Sequence, residues 1–187
     1  MKVIFAAGGT GGHIFPAVAI AEALRGKRPD VEARFVLGAG GKGARFLEPT
    51  GFAWDSIPMK GMPRKNLLRL IPFAWNLARS LVSALGLLRR ERPAAVVAMG
   101  GYPSAPVSLA AAMLRLPVYV AEQNRAPGLA TKWNARFART IFLAFEGSRR
   151  FFPAGKECAV TGNPVRPAIF DFDSARAHAR WELDPNR

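Results

Sequence analysis

The stretch AAGGTGGHIFPAVAIAEAL, residues 6–24, places four glycines, a threonine and a histidine between an apolar strand and an apolar helix. A tight strand-to-helix turn needs one or two glycines, so the surplus indicates that something comes close to the backbone. A helix that starts after such a turn presents unpaired N–H groups to anions. A compact turn with no ligand is the alternative interpretation.

Apolar runs alternate with helix-like segments along the rest of the chain. Six runs are typical of strands buried on both faces, and they cover residues 2–7, 33–38, 53–57, 94–100, 117–122 and 140–145; a seventh short strand is predicted at 157–162. The helix-like segments cover 14–26, 41–49, 65–92, 104–115 and 128–138. This alternation predicts an α/β fold, a Rossmann-like parallel sheet with helices on both faces. In such sheets ligands bind beyond the carboxyl ends of the strands.

A domain boundary is expected at the segment NPVRP, residues 163–167, because its two prolines end regular structure. Residues 1–163 then form the Rossmann-like domain, and residues 164–187 are expected to be a linker and the stub of a further domain. The sequence DFD at 171–173 has an Asp-x-Asp pattern but follows no predicted strand. A solvated helix start is expected there, and no metal site.

The composition is that of a folded, strongly basic chain. Half of the 187 residues are hydrophobic, and 27 Lys and Arg stand against 13 Asp and Glu, a net charge of +14. Such a surface suits nucleic acid, anionic lipid headgroups or a phosphorylated substrate. The single cysteine, Cys158, excludes an internal disulfide. Residues 3–7 are too short for the apolar core of a secretory signal, so a cytoplasmic location is expected.

A second glycine-rich turn, GGYPSAP at 100–106, follows the fourth predicted strand and should face the same crevice as the first. The first turn is not a dinucleotide fingerprint, because Ile14 stands where the last glycine would be, and no Gly-Lys-Ser/Thr follows it. His13 ends the first turn, where a catalytic and a structural role are both open. Glu122, Gln123 and Asn124 follow the fifth strand, where they could hold sugar hydroxyls or cap a helix.

The helix-like segment 65–92 is apolar nearly all round. One stripe contains Leu67, Ile71, Ala74, Ala78, Leu81, Leu85 and Leu88, and further apolar residues lie on other faces. Arg79 would cost about 2.5–3.5 kcal/mol inside a bilayer, which disfavours a membrane span. We expect an exposed apolar patch that docks on an anionic membrane surface, with a basic rim of Lys60, Arg64, Lys65, Arg69, Arg89 and Arg90. Burial under a neighbouring helix is the alternative. Nucleic acid is disfavoured, because the aromatic residues lie among aliphatic ones.

Four ordered motifs resemble a known family. GGTGGHIFPAVAIAEAL (8–24), AMGGYPSAP (98–106), EQNRAPGLATK (122–132) and TGNPVR (161–166) are similar in order and spacing to motifs of glycosyltransferase family 28. The members in question add N-acetylglucosamine to lipid-linked muramyl-pentapeptide in peptidoglycan synthesis. The resemblance covers about residues 1–167 and implies the N-terminal half of a two-domain, B-type glycosyltransferase fold.

The resemblance implies two substrates and no cofactor. The donor is UDP-N-acetylglucosamine, the acceptor is the muramyl-pentapeptide on undecaprenyl diphosphate, and transfer inverts the anomeric centre without an essential metal. It also implies a peripheral protein on the cytoplasmic face of the bacterial inner membrane.

Site residues are carried over motif by motif. His13 is implied as the general base. Thr10, Gly11, Gly12, Asn124 and Arg166 are implied on the donor side, and Gly100, Gly101, Tyr102, Ser104 and Glu122 on the acceptor side. Ala121 stands where the family usually has histidine.

Two alternatives stay open. The chain could be a non-enzymatic, membrane-docked subunit of a split transferase, which binds the acceptor and recruits a separate donor-binding chain. It could also be another B-type transferase that acts on a glycolipid such as diacylglycerol. The family's second domain, with the uridine pocket, is expected to follow where this sequence stops.

Overall fold

Seven parallel strands form a single sheet in the computed structural model, which describes residues 1–41, 43–61, 70–169 and 180–181. The strands are β1 Lys2–Ala6, β2 Glu32–Leu37, β3 Ala53–Ser56, β4 Ala95–Ala98, β5 Val118–Glu122, β6 Thr140–Leu143 and β7 Glu157–Val160. Their order is β3-β2-β1-β4-β5-β6-β7, so the chain reverses its direction of travel across the sheet between β1 and β4. All seven predicted strands are confirmed, and all pairs are parallel.

Within the described residues, four α-helices connect these strands: α1 Gly11–Lys27, α2 Leu70–Glu91, α3 Ser104–Met113 and α4 Leu129–Asn134. The helix predicted at 41–49 is wrong: its described part forms two 3-10 turns, Ala44–Phe46 and Glu48–Thr50. Gly51, with φ of +70°, ends the second turn in a left-handed conformation. The other four predicted helices are present, with α4 ending four residues earlier than predicted.

The helices cover both faces of the sheet, as predicted. On one face Val3 and Phe5 of β1 pack against α1. On the other face Ile4 and Ala6 pack against α2 and α3. Helix α4 lies on the same face as α2 and α3: Asn134 of α4 donates to Ser104 of α3, and Ala135, which directly follows α4, clusters with Ala98, the partner of Ala6. Alternation of side chains along each strand therefore supplies two separate cores.

Helix α2 turns only the C-terminal part of the predicted stripe toward the sheet: Leu88 is buried and Leu81 and Leu85 pack against the same core, whereas Ile71, Ala74 and Ala78 are exposed. Ser80, Ala84 and Leu87, which lie outside the stripe, are buried beside Leu88, and Ile71 is 79% exposed. The inward side tolerates polar groups because they are bonded locally: the Ser80 hydroxyl donates to the backbone carbonyl of Asn76. Residues 62–69, which include Leu67, Arg64, Lys65 and Arg69, lie outside the described part of the chain.

Strand β3 also differs from expectation, because it is not buried on both faces. Ala53, Trp54 and Ser56 are exposed, and Trp54 keeps 39% of its surface. The strand lies at the edge of the sheet, where β2 is its neighbour. A strand at the edge of a sheet has a neighbour on one side only, so its side chains are less covered. An apolar run in the sequence does not distinguish such an edge strand from a central one.

The turns after β1 and β4 touch through their backbones. The amide of Gly8 donates to the carbonyl of Gly100 at 2.9 Å. Gly100 and Gly101 have φ of +92° and +77°, conformations that side chains other than glycine rarely adopt. A Cβ on Gly101 would lie 2.5 Å from the Cα of Gly8. The two predicted turns therefore share one crevice, as expected, and glycine is required at their contact.

We expect Gly101→Ala to lower the free energy of unfolding by about 2–5 kcal/mol, from left-handed strain plus the clash with Gly8. Urea or thermal unfolding measures it. Gly26→Ala is the matched control: Gly26 lies within α1 with open space around it, so alanine should stabilise by about 0.5–1 kcal/mol. A Gly101→Ala variant as stable as wild type would contradict the close contact.

Candidate functional site

His13 lies at the point where the two glycine turns meet. It belongs to the first turn of α1, which begins directly after the β1 turn. A Cβ on Gly8 would lie 3.0 Å from Nδ1 of His13, and one on Gly100 would lie 3.0 Å from Nε2. Part of the glycine surplus thus makes room for the imidazole itself. Gly12, by contrast, has open space around it.

Three features control the chemistry of the His13 imidazole. Its Nδ1 is 3.0 Å from the Thr10 hydroxyl oxygen, which can accept a hydrogen bond from Nδ1–H and so leave Nε2 unprotonated and able to take a proton. Partial burial lowers the pKa of His13 below its ordinary 6.5, and the carboxylate of Glu122 acts in the opposite direction. The neutral form, which a general base needs, is therefore favoured at neutral pH.

Two cavities flank His13. The first, of about 630 Å³, lies toward β5 and α4 and is lined by His13, Gly101, Tyr102, Glu122, Asn124, Ala126, Gly128, Leu129, Ala130 and Thr131. The second, of about 660 Å³, lies toward β2 and is lined by Gly8, Gly9, Thr10, His13, Gly38, Ala39, Gly40, Met59, Lys60, Gly61, Gly101, Tyr102 and Pro103. Three residues, His13, Gly101 and Tyr102, line both spaces. A ligand on either side of the imidazole can therefore reach it.

Glu122 is buried at the end of β5 and organises the segment that follows. Its Oε1 accepts the backbone N–H of Asn124 at 2.8 Å and the Asn124 side-chain amide at 2.9 Å. Gln123 donates to the carbonyl of Ala121. None of the three caps α4, since Gly128 precedes that helix without a side-chain cap. Glu122 and Asn124 instead line the first cavity.

Ser104 lies beneath the second glycine turn and is fully buried. Its hydroxyl donates to the carbonyl of Gly101 at 2.7 Å and accepts a hydrogen bond from Asn134 of α4, also at 2.7 Å. Ser104 is not among the residues that line the two His13 cavities. The pair Ser104–Asn134 fixes α4 to the turn, and so sets the width of the first cavity.

Three of the predicted donor-side residues lie apart from these cavities. Gly11, Gly12 and Arg166 line a separate recess of about 400 Å³. There the guanidinium of Arg166 lies 4.5 Å from the centre of the Phe15 ring. Thr10 and Asn124, in contrast, line the cavities on either side of His13.

Several lining residues were not predicted from the sequence. Thr131 of α4 is buried, and its hydroxyl oxygen would lie 3.2 Å from a Cβ on Gly100. Residues 38–40 and 59–61 line the second cavity. Residues 38–40 could have been predicted to line the crevice, because their glycines come directly at the end of the predicted second strand. Nothing in the sequence indicated that residues 59–61 line a cavity. Asn76 of α2 fixes this segment, because its side chain donates to the carbonyl of Pro58 and accepts a hydrogen bond from the backbone N–H of Lys60.

The described residues contain no group of three or more His, Cys, Asp or Glu arranged to hold a metal ion. The DFD sequence and His178 lie outside the described residues. Of the expected basic rim, Lys60, Arg89 and Arg90 are described and exposed. Arg90 is already paired with Asp55 at 3.2 Å and with Glu91 at 2.9 Å.

Comparison with known proteins gives a consistent result. Residues 3–143 match the glycosyltransferase family 28 N-terminal domain. A UDP-N-acetylglucosamine–N-acetylmuramyl-(pentapeptide) pyrophosphoryl-undecaprenol N-acetylglucosamine transferase of Moorella thermoacetica is 41% identical over 180 residues, which is 95% of this chain and 48% of that protein. The crystal structure of Acinetobacter baumannii MurG has a TM-score of 0.71 at 28% identity, covering 86% of this chain and 45% of that one. The chain spans about half the length of the curated relatives it matches.

The pKa of His13 is open to direct measurement. We expect NMR titration of its Hε1 signal to give a pKa below 6.5, and Glu122→Gln to lower the pKa further by removing the favourable charge. Well above pH 6.5 the imidazole is neutral in both the folded and the unfolded chain; as the pH falls through 6.5 the unfolded chain is protonated first, so the free energy of unfolding falls. His178→Gln assigns the two histidine signals. A His13 pKa of 6.5 or higher would contradict the burial.

Proposed function

The chain belongs to glycosyltransferase family 28, with the fold of the N-terminal half of a B-type glycosyltransferase, and from this premise we propose that it is the acceptor-binding, base-supplying half of such an enzyme. The reaction is transfer of N-acetylglucosamine from UDP-N-acetylglucosamine to undecaprenyl-diphosphate-linked muramyl-pentapeptide. The curated relatives carry this activity in their names. The observation that supports it most directly is a histidine set between two cavities where two glycine turns meet.

Both substrates meet at the imidazole. The acceptor diphosphate lies at Gly100, Gly101 and Tyr102, with Ser104 beneath them and Glu122 at the cavity wall. On the donor side Thr10 and Asn124 approach the sugar, while Gly11, Gly12 and Arg166 lie toward the donor nucleotide. The 17-residue helix α1 begins at Gly11, so its positive end favours negative charge there.

The mechanism follows from this placement. His13 takes the proton from the attacking sugar hydroxyl as the new glycosidic bond forms, and attack opposite the departing diphosphate inverts the anomeric centre. Negative charge grows on the leaving diphosphate in the transition state. Backbone N–H groups and cations fixed near that charge lower the barrier, because they need no reorganisation.

A membrane surface is the natural place for a lipid-linked acceptor, and α2 offers a contact for it. Ile71, Trp75 and Val82 are 79%, 68% and 70% exposed, and Arg79 is exposed beside them. Length and composition alone would also let Ile71–Glu91 cross a membrane, but core helices pass the same test. Because Ala84, Leu87 and Leu88 pack on the sheet, we assign α2 to peripheral docking on anionic lipid at the cytoplasmic face of the inner membrane.

Acceptor binding can be tested on this chain by vesicle co-flotation. We expect salt-sensitive retention on anionic vesicles, little on neutral ones, and additional saturable retention when the anionic vesicles contain the lipid-linked muramyl-pentapeptide. Tyr102→Ala should remove the saturable part and leave the salt-sensitive part unchanged, since Tyr102 lines both His13 cavities. Equal retention on anionic vesicles with and without the lipid-linked muramyl-pentapeptide would argue against acceptor binding by these residues.

The role of His13 is tested by sugar transfer in a chimaera that joins this chain to the second half of the Moorella thermoacetica relative. We expect His13→Ala to reduce kcat by about 10²–10⁴-fold, the usual loss when a general base is removed. The matched control is His178→Ala, which replaces the chain's only other histidine. A His13→Ala chimaera that turns over at the rate of the control would remove His13 from the mechanism.

A further inference from the structure

An apolar groove of about 490 Å³ lies between α2, α3 and α4. We call it the α4 groove. Its apolar walls include Phe73 and Leu77 from α2, Leu109 from α3, and Leu129 and Trp133 from α4. Phe73, Leu77 and Leu109 are half-buried, whereas Leu129 and Trp133 stand at the lip with 74% and 42% of their surface exposed. Apolar surface of this kind, left in water, favours an apolar occupant.

The α4 groove adjoins the first His13 cavity. Tyr102, Leu129 and Ala130 line both spaces, so one wall separates the groove from the site of the proposed diphosphate. The Ser104–Asn134 hydrogen bond holds α4 against α3, which keeps the groove open at a fixed width. A ligand with a polar head at the Gly100–Gly101 turn would therefore meet an apolar channel next to it.

The charge around the α4 groove is positive. Lys132 and Arg136 are exposed on its rim, and no acidic residue of the described chain lines it. Arg136 lies 4.8 Å from the centre of the Trp133 ring, and Lys132 lies 5.1 Å from that of Phe151, so both cations are held over aromatic faces. The arrangement suits an apolar chain attached to an anion.

We propose that the α4 groove binds the isoprene units of the acceptor that lie nearest to its diphosphate. This rests on the proposed function for the identity of the acceptor, and adds a chain-binding site to it. The groove differs from the docking surface on α2, because Phe73 and Leu77 face inward whereas Ile71, Trp75 and Val82 face outward.

The size and polarity of the α4 groove favour this occupant over a peptide. Its volume lies within the range of small-ligand pockets, about 300–1,000 Å³, and holds only a few isoprene units, so the rest of the chain stays in the bilayer. A peptide would bring backbone N–H and C=O groups that need partners, and the lining offers little besides the Tyr102 hydroxyl and two cations. A branched hydrocarbon needs none.

The experiment measures binding of isopentenyl, geranyl and farnesyl diphosphate to this chain by calorimetry in the absence of lipid. We expect affinity to rise at least about tenfold from the shortest to the longest, equivalent to about 1.4 kcal/mol, as isoprene units enter the α4 groove. Trp133→Gln should remove that gain, so that the three compounds bind with similar affinity. Leu129→Gln, at a more exposed position, should reduce the gain if Trp133→Gln fails to fold.

Trp54→Gln is the matched control. Trp54 is exposed to a similar extent, 39% against 42%, and lies on the edge strand β3, outside the groove. It should keep the full dependence on chain length. The proposal would be overturned if the Trp54 and Trp133 variants lost the dependence of affinity on prenyl length equally, or if affinity did not depend on prenyl length at all. Farnesol binding as tightly as farnesyl diphosphate would also overturn it, because the head would then be irrelevant.

Failure of this proposal is distinguishable from failure of the proposed function. If vesicles that contain the muramyl lipid retain the protein but the number of isoprene units has no effect on affinity, the acceptor site stands and the assignment of the α4 groove falls. If affinity rises with the number of isoprene units but the muramyl lipid gives no additional retention of the protein on vesicles, the groove stands as a polyprenyl diphosphate site. The assignment of the muramyl acceptor then falls. If no prenyl compound binds and Trp133→Gln converts a dimer to a monomer, the groove is an interface between copies and the proposal falls.

Discussion

The close contact between the turns after β1 and β4 is the constraint on which the site depends. A parallel sheet whose order reverses between these strands leaves a crevice at their carboxyl ends, but ordinary residues would keep the two turns apart. Gly8 and Gly101 remove the side chains that would intervene, and the Gly8–Gly100 hydrogen bond closes the gap. His13 is then held between the turns by packing rather than by a dense hydrogen-bond network.

This arrangement also sets the electrostatics of the imidazole. Burial against glycine backbone favours the neutral ring, and the Glu122 carboxylate moderates that effect without dominating it. Glu122 is itself fixed by two hydrogen bonds from Asn124, so its position relative to His13 is set by the end of β5. Three neighbouring strands, β1, β4 and β5, thus each contribute one group to the same small region, which only the sheet order brings together.

Much of this could be predicted from the sequence, and the exceptions have physical causes. The seven strands and the shared crevice follow from short apolar runs and from glycines placed after strand ends, which are local signals. The inward side of α2 could be predicted only in part: Leu88 of the predicted stripe is buried, but Ser80 is buried as well, with its hydroxyl bonded locally, while Ile71 is left exposed. Thr131 and residues 59–61 reach the cavities through packing of α2 and α4, which no local pattern encodes. The roles carried over from the family stay predictions, including that of Ser104, which contacts the turn from below.

Helix α2 separates two kinds of apolar contact, and this separation explains why it is apolar nearly all round. Its outer side exposes Ile71, Trp75 and Val82, while its inner side supplies Phe73 and Leu77 to the α4 groove and Ala84, Leu87 and Leu88 to the core. A helix that only covered the sheet would need one stripe, and a polar outer face would cost nothing. Under the proposed function, the outer side rests on the lipid surface while the inner side borders the path of a polyprenyl chain. The hydrocarbon next to the diphosphate would then be covered by the α4 groove while the rest of the polyprenyl chain stays in the bilayer.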